Sequence, residues 1–441
     1  MPRATYHFPN GFVWGTATAS HQVEGGNDNN DWAAWEKQEG RIHKGEKAGL
    51  ACDWWNGRWR EDLDRAAEAG QTAHRLSVEW SRIQPAPDRW DEDALDRYRA
   101  ILQGMHERGL HPMVTLQHFT LPLWLAETGG WENDDIPALF EAFVRRSIPA
   151  LKEYCNEWVT INEPNVDMYS SYIDGLFPPG KNDLTAAYHT VLNVLRSHSL
   201  AYHAIHEIQP QAQVGMAHQY HGFMPTHKYS PLDALVVALS HQGFNNVFPL
   251  ALSNGRVRFL HKSTRIPAAA GTQDFFGLNY YTCEMAAFNL SAKDFFQKRC
   301  YPPEARLSPF GFNASYPIGM FMALEWANSY GLPIHITENG IEDSQDDFRR
   351  EYLLTHLHQV WRALNRNIPV RSYYHWSLID NFEWERGWDM QFGLWSIDRE
   401  TQRRTPRPSA HLYEAICKQN AINYAMVKEY APGVLPELFP E

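Results

Sequence analysis

An α/β chain folded as a (β/α)8 TIM barrel in a single domain is the architecture this sequence predicts, and three observations carry it. Eight short runs rich in β-formers recur along the chain, and longer stretches with helical spacing separate them. No Gly-x-Gly-x-x-Gly follows the first run, which counts against an open doubly wound sheet. Strands that alternate with helices in this way are parallel, and eight such units close a barrel.

In order, the strand runs are Gly11–Ala17, Ala73–Val78, Pro112–Gln117, Trp158–Asn162, Gln213–Ala217, Phe275–Asn279, Ile334–Thr337 and Val370–His375. Trp59–Ala69 reads as a helix with Leu63, Ala66 and Ala67 on one side and a stop at Gly70. Asp93–Arg108 spaces Leu95, Tyr98, Ile101, Leu102 and Met105 at helical intervals before Gly109. Phe140–Tyr154, Leu184–Ile208, Ile318–Tyr330 and Phe348–Asn365 follow the same pattern. Residues 219–273 and 280–317 read as insertions above the barrel. The barrel domain is expected over 1–422, with 423–441 as a C-terminal extension that carries Pro432, Pro436 and Pro440.

Composition narrows the function. Of 441 residues, 44% are hydrophobic and 21% charged, the balance of a globular chain with a large core. Lys plus Arg is 40 and Asp plus Glu 52, a net charge of −12 with no electrostatic footprint for nucleic acid or anionic lipid. Mean hydropathy is −0.50, and no apolar run approaches the roughly 18 residues of a membrane span. The opening residues lack the apolar segment of a secretory signal. The five cysteines are scattered and form no Cys-x-x-Cys pair, so a reduced, cytoplasmic protein is expected. Aromatic residues make up 13% of the chain, which suits a large core and a sugar-stacking pocket equally.

Catalytic groups of such barrels gather at the C-terminal ends of the strands. Strand two begins with His74-Arg75 and ends near Glu79-Trp80, and the other ends read Gln117-His118, Asn162-Glu163-Pro164, Asn279-Tyr280-Tyr281, Thr337-Glu338-Asn339-Gly340 and His375-Trp376. Strands four and seven each finish in a glutamate beside a turn residue. One such glutamate alone would serve equally well as a structural ion pair. Two opposed carboxylates are what glycoside hydrolysis needs, one to protonate the leaving oxygen and one to attack the oxocarbenium-like centre.

The runs Thr160-Ile161-Asn162-Glu163-Pro164 and Ile336-Thr337-Glu338-Asn339-Gly340 resemble the two signatures of glycoside hydrolase family 1. The likeness extends from Phe8-Pro9-Asn10-Gly11-Phe12 to Thr405-Pro406-Arg407-Pro408-Ser409, through Ser20–Gly25, Arg75–Ile83 and Trp376–Trp384. The resemblance implies a retaining exo-β-glycosidase of the β-glucosidase type, with no metal and no cofactor. Its expected partner is a small β-glycoside or oligosaccharide, with no nucleic acid and no membrane. It implies Glu338 as nucleophile and Glu163 as acid/base, with Arg75 and Tyr281 holding Glu338 ionised. Glu163 is expected to have its proton affinity raised by burial and by the charge of Glu338. The implied sugar-binding set is Gln22, His118, Phe119, Asn162, Asn279, Trp376, Glu383 and Trp384. Trp376 would form the stacking floor, and Gln22 and Glu383 would each bond adjacent hydroxyls.

Two positions and the length of the tail depart from the family pattern. Phe119 stands where a Trp is usual, Asn313 stands where a Trp platform for the aglycone is usual, and the chain continues past the usual end. In phospho-specific members the loop after strand eight supplies a Ser, a Lys and a Tyr. Here Glu383 and Met390-Gln391-Phe392 occupy that stretch, with Arg386 as the cation and a surface loop its expected place. His203/His206 and His218/His221 recur three residues apart without a His-Glu-x-x-His motif, which reads as helix or loop surface rather than a zinc site.

Overall fold

The computed structural model describes residues 4–292 and 295–440. Its main sheet closes on itself: strands Val13–Ala17, Ala73–Ser77, His111–Gln117, Glu157–Asn162, Gln213–Pro225, Phe275–Phe288, Ile334–Asn339 and Val370–Trp376 run parallel, each beside the next. The eighth pairs with the first through Tyr373↔Trp14 and Trp376↔Ala17, which completes the barrel. All eight runs legible in the sequence are its staves.

Helices cover the outside. Trp59–Glu68, Glu92–Glu107, Leu184–Ile208, Pro317–Asn328, Asp347–Leu364 and Pro408–Gln419 pack apolar faces on the strands. Asp91 and Asp183 cap two of them, accepting from Ala94 N and from Thr185 N and Ala186 N. The helix read from Phe140 spans Ile136–Leu151. Pro137 marks its first turn rather than a break, because the N–H that proline lacks has no partner there.

Inside the barrel, Met113, Val159, Phe275 and Tyr374 fill the space between the small residues Ala17, Ala73 and Ala217. Gly15 belongs to this fit: a Cβ there would lie 2.7 Å from both the Ala73 carbonyl and the Tyr374 ring.

Strands five and six run well past the ends expected from sequence. They stay paired above the barrel rim, from Gly222↔Cys283 to Pro225↔Ala286, and Gln297–Cys300 adds antiparallel to the second of them. That ladder belongs to residues 219–273 and 280–317, so those insertions begin as strand. Helix Pro231–Ser240 and hairpin Arg256–Phe259/Lys262–Arg265 complete this upper layer.

Residues after 422 pack tightly. Ala421–Asn423 pairs antiparallel with Thr5–His7, and Met426, Val427, Ala431 and Leu438 join the core under helix Asp347–Leu364. Tyr6 stacks on Phe439 with ring centroids 4.8 Å apart, and its hydroxyl donates to the Leu438 carbonyl. All five cysteines are free thiols, and four of them are buried. Among the described residues, no helix is long and apolar enough to cross a membrane, and no cluster of three or more His, Cys, Asp or Glu could hold a metal ion.

Candidate active site

A cleft of about 330 Å³ opens at the C-terminal ends of the strands, with Glu163, Glu338, His118, Phe119, Tyr281, Trp376, Glu383 and Trp384 on its walls. The two glutamates arrive there by local irregularity. Strand four loses register with strand five between Val159 and Asn162, and strand seven loses register with strand six between Ile336 and Glu338. Such bulges re-aim the side chains that follow. Gly340 completes the second turn, since a Cβ there would lie 2.0 Å from the Trp376 carbonyl.

Glu338 is held from two sides. Arg75 Nη1 donates to Oε1 at 2.6 Å, and the Tyr281 hydroxyl donates to Oε2 at 2.6 Å. Burial and the Glu338 charge push the Tyr281 phenol far above its ordinary value, so it stays a donor. Arg75 is itself buried and spreads its remaining donors over Asn162 Oδ1 (2.6 Å), the Thr115 hydroxyl (3.0 Å) and the Thr337 carbonyl (3.2 Å). A guanidinium taken out of water needs this full set of acceptors.

The amides are oriented by a chain of bonds. Thr337 Oγ1 donates to Asn279 Oδ1 at 2.6 Å, which turns the Asn279 amino group toward Glu163 Oε1 at 2.8 Å. Arg75 occupies Asn162 Oδ1, so Asn162 offers its amino group to His118 Nε2 at 3.3 Å. His118 then accepts at Nε2 and carries its proton on Nδ1. Burial, with Arg75 nearby, drives its basicity well down, so the ring is neutral. His118 Nδ1 and Gln22 Oε1 make no hydrogen bond within the protein.

Glu163 has its proton affinity raised, first by burial and then by the Glu338 charge; the Asn279 bond and Arg75 oppose this without cancelling it. That is the direction and the cause expected from sequence. Glu383 is also pushed far up, by burial and by the charges of Glu385 and Glu338. A protonated Glu383 both donates and accepts, which widens the purely acceptor role expected of it. Gln22 Nε2 reaches Glu383 Oε2 at 3.3 Å and the Phe382 carbonyl at 2.7 Å.

Phe119, Glu163 and Trp384 all sit in the left-handed backbone region, at φ 68°, 42° and 52°. Pro164 opens the helix Pro164–Tyr172 and denies Glu163 the right-handed conformation. All twelve residues singled out in the sequence therefore meet at one end of the barrel. Trp376 and His118 lie nearly parallel, 15° between planes at 6.0 Å.

The outer cleft was not legible in the sequence. Tyr169 from helix Pro164–Tyr172, Phe223, Glu284 and Arg299 from the strands above the rim, Phe244 from the helical turn His241–Asn245 and Phe312 from a loop line it, and no local pattern marks them. Asn313 is buried and donates Nδ2 to Glu342 Oε2 at 3.1 Å, while its neighbour Phe312 turns a 38% exposed ring to the cleft. An aromatic face therefore persists one residue before the expected position. Arg386 keeps a 36% exposed side chain in the loop after strand eight and also lines the cleft, stacked 4.5 Å from the Phe312 ring centroid and paired with Glu385 at 2.8 Å. Of the histidines, His206 pairs with Asp274 and His221 with Glu284, both at 2.8 Å.

Known proteins resemble this arrangement throughout. The family model described as glycosyl hydrolase family 1 matches residues 4–422. Beta-glucosidase A of Thermotoga maritima is 32% identical over 94% of this chain and 98% of its own. A beta-galactosidase of Sulfolobus acidocaldarius is 30% identical over 94% and 96%. The solved beta-glycosidase of Pyrococcus horikoshii superposes with TM-score 0.92 at 33% identity, covering 99% of this chain and all of that one. With residues 4–422 matched and the barrel reproduced, the chain belongs to glycosyl hydrolase family 1.

Proposed function

We propose that this glycosidase removes terminal non-reducing β-D-glucosyl residues, and with them β-fucosyl or β-galactosyl ones, through a covalent glycosyl-enzyme. The observation that carries the reading is the unequal treatment of two neighbouring carboxyls. Glu338 is clamped by Arg75 and Tyr281, while burial and the Glu338 charge favour a proton on Glu163.

In that arrangement Glu338 attacks the anomeric carbon as Glu163 protonates the departing oxygen. The ester formed on Glu338 no longer carries charge, so one cause of the raised proton affinity of Glu163 disappears. Glu163 then takes a proton from water, the water attacks the anomeric carbon, and Glu338 is released. Asn279 and Asn162 are fixed beside the reacting carbon, His118 Nδ1 offers a donor, and Trp376 offers a flat face to the ring. The relatives named β-glucosidase and β-galactosidase support the substrate class. The free thiols support a reducing, cytoplasmic setting.

The same cleft argues against a 6-phosphate. Met390 and Phe392 are buried with Trp376 in the barrel interior, and Gln391 Oε1 accepts from Arg407, so the loop offers no lysine there. Arg386 is already paired with Glu385. A dianion would meet the Glu383 carboxyl in a loop, 381–393, whose single cation is that already paired Arg386. Nitrophenyl β-glucoside is expected to be cleaved with kcat/KM at least about a hundredfold above its 6-phosphate, roughly 2.7 kcal/mol. Steady-state rates on aryl β-glucoside, fucoside, galactoside and the 6-phosphate, at one pH and salt, decide it. Equal rates on the last and the first would make the enzyme a phospho-glycosidase.

A further inference from the structure

The barrel has a lower mouth, at the end away from the catalytic cleft. A cavity of about 470 Å³ lies there among Val13, His111 and Glu157, the first residues of strands one, three and four. The loop 152–156 that leads into strand four forms its side. Tyr374 of strand eight closes it from inside, in the layer of Met113, Val159 and Phe275.

Two polar groups face this mouth without partners of their own. Side chains alternate along a strand, so Glu157 points the same way as Val159, toward the barrel axis. Among the described residues, no hydrogen bond or ion pair reaches its carboxyl, and burial raises its proton affinity, to about 7. The Tyr374 hydroxyl also makes no hydrogen bond among them, and burial and the Glu157 charge keep it protonated. The neighbouring groups are engaged elsewhere or stand in water. Cys155 Sγ donates to the Glu157 carbonyl at 3.1 Å, and His106 Nε2 donates to the Tyr154 carbonyl at 2.7 Å. Lys152 and Glu153 are exposed at the rim and oppose each other in charge. A carboxyl withdrawn from water takes a proton or acquires a counter-ion. A metal ion is poorly served, since no cluster of three or more His, Cys, Asp or Glu among the described residues could hold one. An ammonium group is better matched, because its N–H bonds suit the Glu157 carboxylate and the Tyr374 oxygen. A carbon chain attached to it would lie against Val13, Pro112 and the Tyr154 ring.

We propose that the lower mouth of the barrel binds a primary ammonium ion carried on a short carbon chain, with Glu157 as its counter-ion and the Tyr374 hydroxyl as second acceptor. The probe is butylammonium chloride, titrated calorimetrically into the full chain at about pH 8 with sodium chloride holding the ionic strength. It is expected to bind with a Kd of roughly 1 mM. Glu157→Gln keeps the shape of the side chain and is expected to weaken binding at least about tenfold. Tyr374→Phe keeps the ring in the barrel and is expected to weaken it about threefold. Glu338→Gln removes a carboxylate from the catalytic cleft at the other end and should leave binding within about twofold. Thermal melts check that each variant is folded. Binding that survives Glu157→Gln, or that disappears with Glu338→Gln, overturns the inference by placing the cation elsewhere. A parent protein that binds no butylammonium overturns it too, with Glu157 then neutralised by a proton or by Lys152.

Discussion

Glu338→Gly is expected to lose β-glucoside hydrolysis by at least about 10⁴-fold, over 5 kcal/mol of transition-state stabilisation, while the chain stays folded. The loss follows from chemistry: no other carboxylate stands where Arg75 and Tyr281 converge. The fold survives because Arg75, although buried, keeps Asn162 Oδ1, the Thr115 hydroxyl and the Thr337 carbonyl as acceptors. The space left beside the anomeric carbon admits an α-glucosyl fluoride, which resembles the missing glycosyl-enzyme. With that donor and an acceptor sugar, Glu163 can still deprotonate the acceptor, and β-linked product should accumulate because nothing remains to cleave it. Product analysis and a thermal melt check both halves. Ordinary turnover by verified, uncontaminated Glu338→Gly protein would remove the residue from the mechanism.

Glu163→Ala is expected to separate substrates by leaving group. Alkyl glucosides need a proton on the departing oxygen and should slow by about 10³-fold, within the usual worth of general acid catalysis. Dinitrophenyl glucoside leaves unaided, so its glycosylation step should barely change. Azide should speed the return of free enzyme and yield a β-glucosyl azide, since it enters from the face that Glu163 guards. The pH profile supplies an independent reading. A raised proton affinity keeps Glu163 protonated at neutral pH, so wild-type activity falls as pH rises through that value. In the Ala variant that alkaline limb should vanish for the activated substrate. Equal losses on both leaving groups, or an α-azide, would contradict the role.

The sequence was most informative where structure is periodic or where chemistry is local. Each barrel strand is a short apolar run, and a parallel strand buried on both faces leaves that mark whatever surrounds it. The candidate site was legible for a related reason: in a barrel the ends of strands four and seven must lie at the same rim, so Glu163 and Glu338 could be placed together. What failed depends on partners far away in the chain. Strands five and six continue to Pro225 and Phe288 because they pair with each other, and neither segment announces that alone. Arg386 lines the cleft because Phe312 and Glu385 hold it there. How residues 423–440, which extend past the family match, are held was likewise not readable: Tyr6, at the opposite end of the sequence, stacks on Phe439 and fastens them.

The left-handed backbone at Phe119, Glu163 and Trp384 bears on how robust this enzyme can be. Each such residue that is not glycine costs roughly 1 kcal/mol, and Glu163 adds the burial of an ionisable group. The fold thus forgoes resistance to heat at the very place where bonds are made and broken. Glycine at position 163 would relax that turn and abolish the acid in one change. Calorimetry should then show a protein, slow on alkyl glucosides, that melts above its parent, and a lower melting point would mean that the Asn279–Glu163 bond outweighs the strain. On this account, heat tolerance and turnover compete at residue 163, and breeding for the first without an assay for the second would select the acid away.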